Sequence, residues 1–139
     1  MPFPTRRTVY GMIDRSNLPG TFRSFDVASP DQHSPQRFQT TVPQQALFLM
    51  NSPFVTEQAK ALATRPEVIA AKTTDAKIAA LYRVALGRSP SPAELSAGRE
   101  FVAESDHWAE RFAEARRPFG AWPQYAQVLL LSNEFAFID

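Results

Sequence analysis

The chain has 139 residues, a formal net charge of +1, 11 Phe, 3 Tyr and 2 Trp, and no cysteine. This length and a hydrophobic fraction of 44% suffice for one domain with one core. A nucleic-acid partner is not expected, because no basic excess gathers in one run, and the lack of cysteine excludes disulfides and covalent c-type haem attachment within the chain.

The N-terminal region, residues 1–40, is predicted to be rich in loops. Residues 1–53 contain seven of the 12 prolines of the chain, and each proline disfavours helical backbone in the residue before it. All five basic residues of this stretch are Arg. Within it, residues 9–13 suit either a strand or a short helical face.

The rest of the chain, residues 41–139, is predicted to be helical and to begin with a buried helix. Thr41 and Gln44 have the spacing of a capping box. Residues 46–50 are apolar on every side of a helix, a pattern typical of a helix that is covered all round. Asn51 is suited to the left-handed backbone that ends a helix.

A second helix is predicted from its start and end signals. Ser52 followed by Pro53 indicates an N-cap and a first helical position. This helix is expected to run to about Ala63, since the proline of Arg65-Pro66 follows soon after and ends it.

A third helix is predicted to begin at Thr74 or Asp75 and to stop at Gly87. Its apolar residues recur at the spacing of a single helical face. They are Ile78, Leu81, Tyr82, Ala85 and Leu86.

The C-terminal part is predicted to contain three more helices. Residues 91–94 combine a capping box with proline at the first helical position, which predicts the start of the fourth helix. A fifth helix is expected from Ser105 or Asp106, and the last from 122 to 131.

The tail leaves two alternatives open, because residues 135–138 either finish the last helix or form a short strand pair with 9–13. The predicted fold class is mainly α, an irregular bundle of about five or six short helices with a Pro- and Arg-rich N-terminal loop region. Residues 1–139 are interpreted as a single domain or as a fragment of a larger one.

Six polar residues are candidates for a ligand-binding site. A loop that carries carboxylates, an imidazole and guanidinium groups could bind an anion or transfer protons. The same groups could instead brace the loop through Arg–Asp pairs, which is the favoured interpretation. The candidates are Arg7, Arg15, Asp26, His33, Arg37 and Gln45.

No catalytic residue is assigned. The serines lack the glycine-elbow context of a nucleophile, and one histidine with two aspartates in the loop is weak metal ligation. The chain is therefore expected to be non-catalytic, with no metal and no cofactor of its own.

Motifs spread over nearly the whole chain are similar to those of one family. They read R-R-x-V-Y-G-x-I-D-R at 6–15, F-D-x-A at 25–28, R-x-x-x-T-x-P-Q-Q-A-L-x-L-M-N at 37–51, L-Y-x-x-x-L-G-R-x-P-x-x-x-E at 81–94 and S-N-E-F at 132–135. In these motifs the chain resembles the C-terminal part of the planctomycete-type, cytochrome-c-associated domain of unknown function DUF1553. The stretch at 81–94 also resembles a helix–turn–helix signature of other extracellular modules.

The resemblance implies an exported, periplasmic, multidomain parent protein in which any haem would be held by another domain. It implies no established reaction and no catalytic residues. Other domains of the parent are the expected partners, with an anionic polysaccharide as a further one. The start of the chain has no apolar signal core, and no apolar stretch is long enough to span a bilayer.

Two functions therefore stay open at this level. The leading hypothesis is a non-catalytic interaction or scaffold module of that exported protein, linked to polysaccharide degradation. The alternative is an anion- or carbohydrate-binding or enzymatic site built from the Arg, Asp and His residues of the N-terminal loop region. Mutual salt bridges among these groups would favour the scaffold, and unpaired Arg groups in an open cleft would favour the alternative.

Overall fold

The computed structural model gives the main helical part of the chain and a few N-terminal positions. The described residues are Asp14, Phe22, Phe25, Val27, Ala28, His33, 43–111 and 120–136. Seven helices have described bounds: α1 (Pro43–Asn51), α2 (Pro53–Ala63), α3 (Pro66–Ile69), α4 (Thr74–Leu86), α5 (Pro92–Arg111), α6 (Ala121–Leu130) and α7 (Asn133–Ala136). The described residues contain no strand, so the prediction of a mainly α fold is confirmed.

Helix α1 ends at Asn51 as predicted but is less buried than its sequence suggests. The ring of Phe48 meets that of Phe25 edge-on, with centroids 5.6 Å apart. Leu47 and Met50 nevertheless expose 56% and 60% of their surface. The prediction of a helix covered all round is therefore wrong, because only part of the circumference is packed. The predicted capping box at Thr41 lies outside the described residues.

Helix α2 begins and ends where the sequence predicts. Ser52 is its N-cap with extended backbone and Pro53 is its first residue, but the Ser52 side chain makes no capping hydrogen bond. That hydroxyl is buried and has no hydrogen-bond partner. Pro66 both follows the end of α2 and opens the short helix α3, because proline is well suited to a first helical position.

Helix α4 confirms the third predicted helix. The side chain of Thr73 accepts a hydrogen bond from the Ala76 backbone N–H at 3.2 Å and caps its start. Gly87 has a φ of 71° and ends it in the left-handed region, where a side chain would be strained.

Helix α5 corrects the sequence prediction. The capping box forms as expected: Ser91 N–H donates to Glu94 Oε2 at 2.7 Å, and Glu94 N–H donates to Ser91 Oγ at 3.3 Å. The helix then continues for 20 residues, to Arg111. The predicted new start at Ser105 or Asp106 is wrong, because no Gly or Pro occurs between 99 and 111 to interrupt the helix.

The last predicted helix corresponds to α6, and the start of the tail is also helical. Tyr125, Ala126 and Leu129 of α6 are buried. Phe135 and Ala136 belong to α7, which is separated from α6 by Leu131 and Ser132, so these two positions are helical but do not continue the last predicted helix. Residues 9–13, the other half of the suggested strand pair, lie outside the described residues.

The core of the described helices lies between α2, α4, α5 and α6. Helix α2 packs along α6, and α5 packs against both α4 and α6. Ile78 and Leu81 are fully buried. A Cβ atom on Gly98 of α5 would lie 2.5 Å from the Tyr125 hydroxyl, so glycine permits the close approach of α5 to α6.

The chain divides into two compact units, Met1–Leu49 and Met50–Asp139. Helices α2 to α7 all belong to the second unit. Most of the first unit lies outside the described residues, so the expected distinction between a loop-rich 1–40 and a helical 41–139 stays a prediction. Among the described helices, none combines the length and apolarity that crossing a membrane requires.

Candidate functional site

The six candidate site residues all lie in the first unit, and the structure describes two of them. His33 is exposed and Gln45 is half-buried. Arg7, Arg15, Asp26 and Arg37 lie outside the described residues. The structure therefore does not test whether the six converge, and that site stays a prediction.

Three charged side chains among the described residues of the second unit form the Arg88 cluster, which consists of Arg88, Glu94 and Glu134. Gly87 reverses the backbone at the end of α4 and sets Arg88 directly after it. Glu94 lies in the first turn of α5, and Glu134 in the first turn of α7. Three helix ends thus bring together residues that are up to 46 positions apart in the sequence.

Arg88 forms bidentate hydrogen bonds with both carboxylates. Its Nη1 and Nη2 donate to Glu94 Oε2 and Oε1 at 2.9 and 2.6 Å. Its Nε and Nη2 donate to Glu134 Oε1 and Oε2 at 2.6 and 2.7 Å. Such fork-to-fork pairs fix direction as well as distance, which a lysine could not do.

Two tyrosines adjoin the cluster: Tyr82 contacts Arg88, and Tyr125 contacts Tyr82. The guanidinium carbon of Arg88 is 5.4 Å from the centre of the Tyr82 ring, within the range of a cation–π contact. Tyr82 also shares a hydrogen bond with the hydroxyl of Tyr125. Burial is the main cause that raises the pKa of Tyr125, followed by this hydrogen bond, so the phenol stays neutral at physiological pH.

The electrostatics of the cluster favour permanently ionised groups. Hydrogen bonds from Arg88 lower the pKa of Glu94 to about 2, assisted by the backbone N–H of Ser91. Hydrogen bonds from Arg88 also lower the pKa of Glu134. The two carboxylates share Arg88 Nη2 and so lie close together, but a general acid needs a proton at working pH. Neither carboxylate is suited to that role in this arrangement.

A second bidentate pair joins α4 to α5 on the surface of the same unit. Arg99 Nε and Nη2 donate to Asp75 Oδ1 and Oδ2. Nearby in sequence, Lys77 Nζ lies 5.1 Å from the centre of the Trp122 ring. Both contacts tie α4 to a neighbouring helix, and each is satisfied within the fold.

The described residues contain no group of three or more His, Cys, Asp or Glu side chains that could hold a metal ion. The Arg88 cluster and the Arg99–Asp75 pair are ion pairs that join different helices.

The sequence motifs contain the residues of the Arg88 cluster but do not indicate that these residues pair with one another. Tyr82, Arg88 and Glu94 belong to the motif at 81–94, and Glu134 belongs to the motif at 132–135. The capping box of Glu94 was readable from its local spacing. The pairing of Arg88 with Glu134 was not, because it depends on how α7 packs on α4 and α6.

A family model described as "PSD1: Protein of unknown function (DUF1553)" matches residues 4–102 of the chain. This match includes Tyr82, Arg88 and Glu94 and stops short of Glu134. No curated protein and no solved structure matches the chain significantly.

Proposed function

Because the chain belongs to the PSD1 family of proteins of unknown function (DUF1553), we propose that it is a non-catalytic interaction module of an exported, cytochrome-c-associated multidomain protein linked to polysaccharide degradation. The motif resemblance supports the exported and cytochrome-associated setting. In this proposal the partner is a neighbouring domain of the same parent protein.

The observation that carries the proposal is a group of exposed apolar side chains in the second unit. Met50, Phe54 and Val128 expose 60%, 39% and 47% of their surface. Gln127 Nε2 donates to the Met50 carbonyl at 2.9 Å, which brings the end of α1 to α6 beside Val128. Phe54 lies at the start of α2, which packs along α6, and we infer that these three side chains form the surface that contacts the neighbouring domain.

The charged groups of the same unit support a non-catalytic role. The Arg88 cluster and the Arg99–Asp75 pair are closed by mutual hydrogen bonds. Groups already satisfied in this way position helices rather than exchange protons with a substrate.

The small size of the apolar surface favours a tethered partner over a free one. A stable complex of separate proteins buries about 800 Å² on each partner, and three partly exposed side chains supply much less apolar area than that. A covalently linked domain has an effective concentration in the millimolar range. A small contact is then sufficient.

Methyl NMR tests this proposal on the chain alone and on the chain joined to the adjacent domain of its parent gene. In the joined protein, the Met50 and Val128 methyl signals should shift and become protected from broadening by a soluble nitroxide. Ile69 provides the control within the same molecule, since it exposes 65% of its surface on α3. Its methyl signals should keep their position and their broadening.

A variant separates a specific contact from general crowding. Val128→Gln should restore nitroxide broadening of Met50 in the joined protein, whereas Ile69→Gln should not. The proposal is wrong if Met50 and Val128 are broadened equally in both proteins, or if Ile69 becomes protected to the same degree.

A further inference from the structure

The guanidinium of Arg88 has two hydrogen-bonding edges that are held in different ways. The Nη1–Nη2 edge binds Glu94, and the Nε–Nη2 edge binds Glu134. The side chain of Glu94 exposes 32% of its surface and that of Glu134 exposes 45%. The second edge therefore lies on the more open side.

The orientation of Arg88 is set by contacts that do not involve Glu134. Glu94 is fixed by the N–H of Ser91 at 2.7 Å. Arg88 Nη1 also donates to the Ser89 carbonyl at 3.1 Å, and the Tyr82 ring lies against the guanidinium. The Nε–Nη2 edge is therefore prepared for a carboxylate before any occupant arrives.

The present occupant comes from the least buried helix of the second unit. Helix α7 has four residues and none of them is buried, and Phe135 exposes 45% of its surface. Its turn is closed by hydrogen bonds from the N–H groups of Phe135 and Ala136 to the Ser132 carbonyl, at 3.1 and 3.0 Å. These bonds are internal to the segment, so α7 can keep its turn when Glu134 leaves Arg88.

We propose that the Nε–Nη2 edge of Arg88 is a binding site for a carboxylate of an acidic peptide segment in a partner protein, and that Glu134 is its intramolecular occupant. A peptide is favoured over a sugar acid because the site already accepts a peptide carboxylate. This site goes beyond the apolar surface at Met50 and Val128 and is independent of it.

Competition by Glu134 determines how strongly a partner binds. A side chain tethered this closely has an effective concentration on the order of millimolar, so a single free carboxylate is a weak competitor. A peptide with several acidic residues or removal of the Glu134 charge should make binding visible.

The test uses the whole chain and a matched pair of variants. Glu134→Gln opens the prepared edge of Arg88, and Asp75→Asn opens the corresponding edge of Arg99. Among the described residues, Asp75 is the carboxylate that pairs with Arg99. No second carboxylate in this described part orients Arg99 in the way that Glu94 orients Arg88. Both variants and the wild type are titrated with glutarate and with hexaglutamate at constant ionic strength, and the arginine Nε–H NMR signals are recorded.

The proposal predicts a saturable shift of the Arg88 Nε–H signal in Glu134→Gln. Half-saturation with hexaglutamate should come at a concentration at least about tenfold below that of the wild type. Glutarate should also raise the Tm of Glu134→Gln in a saturable manner. Combining Glu134→Gln with Arg88→Lys should abolish this rise. The proposal is overturned if the Arg88 signal of Glu134→Gln does not respond, or if Arg99 in Asp75→Asn responds at the same concentrations.

Discussion

At the scale of single residues, two serines at predicted helix starts form different contacts. Ser52 and Ser91 each precede a proline at the first position of a helix. Ser91 Oγ accepts a hydrogen bond from the Glu94 N–H at 3.3 Å. Ser52 Oγ is buried without a hydrogen-bond partner. A cap is stabilising only when its side chain reaches the backbone donor, so the two positions should respond differently to substitution.

Ser91→Ala should lower the free energy of unfolding by about 1 kcal/mol, because it removes a working cap. Ser52→Ala should raise it by about 1 kcal/mol, because it removes a buried hydroxyl that lacks a partner. Urea unfolding followed by circular dichroism measures both values. A loss of stability in Ser52→Ala equal to that in Ser91→Ala would show that Ser52 is a cap in solution.

A second prediction at this scale concerns the acid stability of the Arg88 cluster. Hydrogen bonding to Arg88 lowers the pKa of Glu94 from the usual 4.5 to about 2 in the folded chain. A lowered folded-state pKa gives stabilisation that is present at neutral pH and is lost as the pH falls from about 4.5 through about 2. Glu94→Gln should therefore lower Tm at pH 7 and show a shallower decline of Tm in this window. Parallel Tm curves for the two proteins between pH 7 and 2 would contradict it.

At the scale of elements, the continuity of α5 is the main difference from the sequence-based expectation. The helix extends from Pro92 to Arg111, although Ser105 and Asp106 are residues that favour helix starts. Leu95 and Phe101 pack against the core, and Val102 is buried in it. This packing begins before Ser105, and the following residues simply extend the helix, which costs less than ending it and starting another.

Asp106→Pro distinguishes a continuous helix from two helices. Proline inside a helix removes a hydrogen bond and clashes with the preceding turn, which costs about 3 kcal/mol. If a helix started with Ser105 as its N-cap, Asp106 would be its first residue and proline would be tolerated. We expect a fall of about 3 kcal/mol in the free energy of unfolding, measured by urea denaturation. A change below about 0.5 kcal/mol would indicate a break at Ser105.

At the scale of the whole molecule, the described structure is organised around the core of the second unit. Helices α2, α4, α5 and α6 supply most of its buried apolar residues, and Val68 of α3 adds another, while Met50 and Val128 are exposed. In the proposed function, these exposed side chains are the ones that a neighbouring domain contacts. The Arg88 cluster lies at helix ends and offers a chemically different surface.

Local sequence signals are sufficient to place the starts and ends of most helices in this chain. Gly87, Pro53 and the pair Ser91 and Glu94 act through local backbone geometry and capping, so their effect is readable from neighbouring positions. The apolar stripe from Ile78 to Leu86 likewise identified the buried face of α4, because a helical period needs no tertiary information. The mainly α fold and the family resemblance followed from such local patterns.

Contacts between residues that are distant in the sequence depend instead on how the helices pack. The exposure of Leu47 and Met50, the unpartnered hydroxyl of Ser52 and the pairing of Arg88 with Glu134 all depend on how helices pack, and packing joins positions far apart in the chain. Capping and periodicity act over a few residues, whereas burial and ion pairing are decided by neighbours in space. For this reason the sequence identified the motifs at 81–94 and 132–135, and the fold brought Arg88 and Glu134 together.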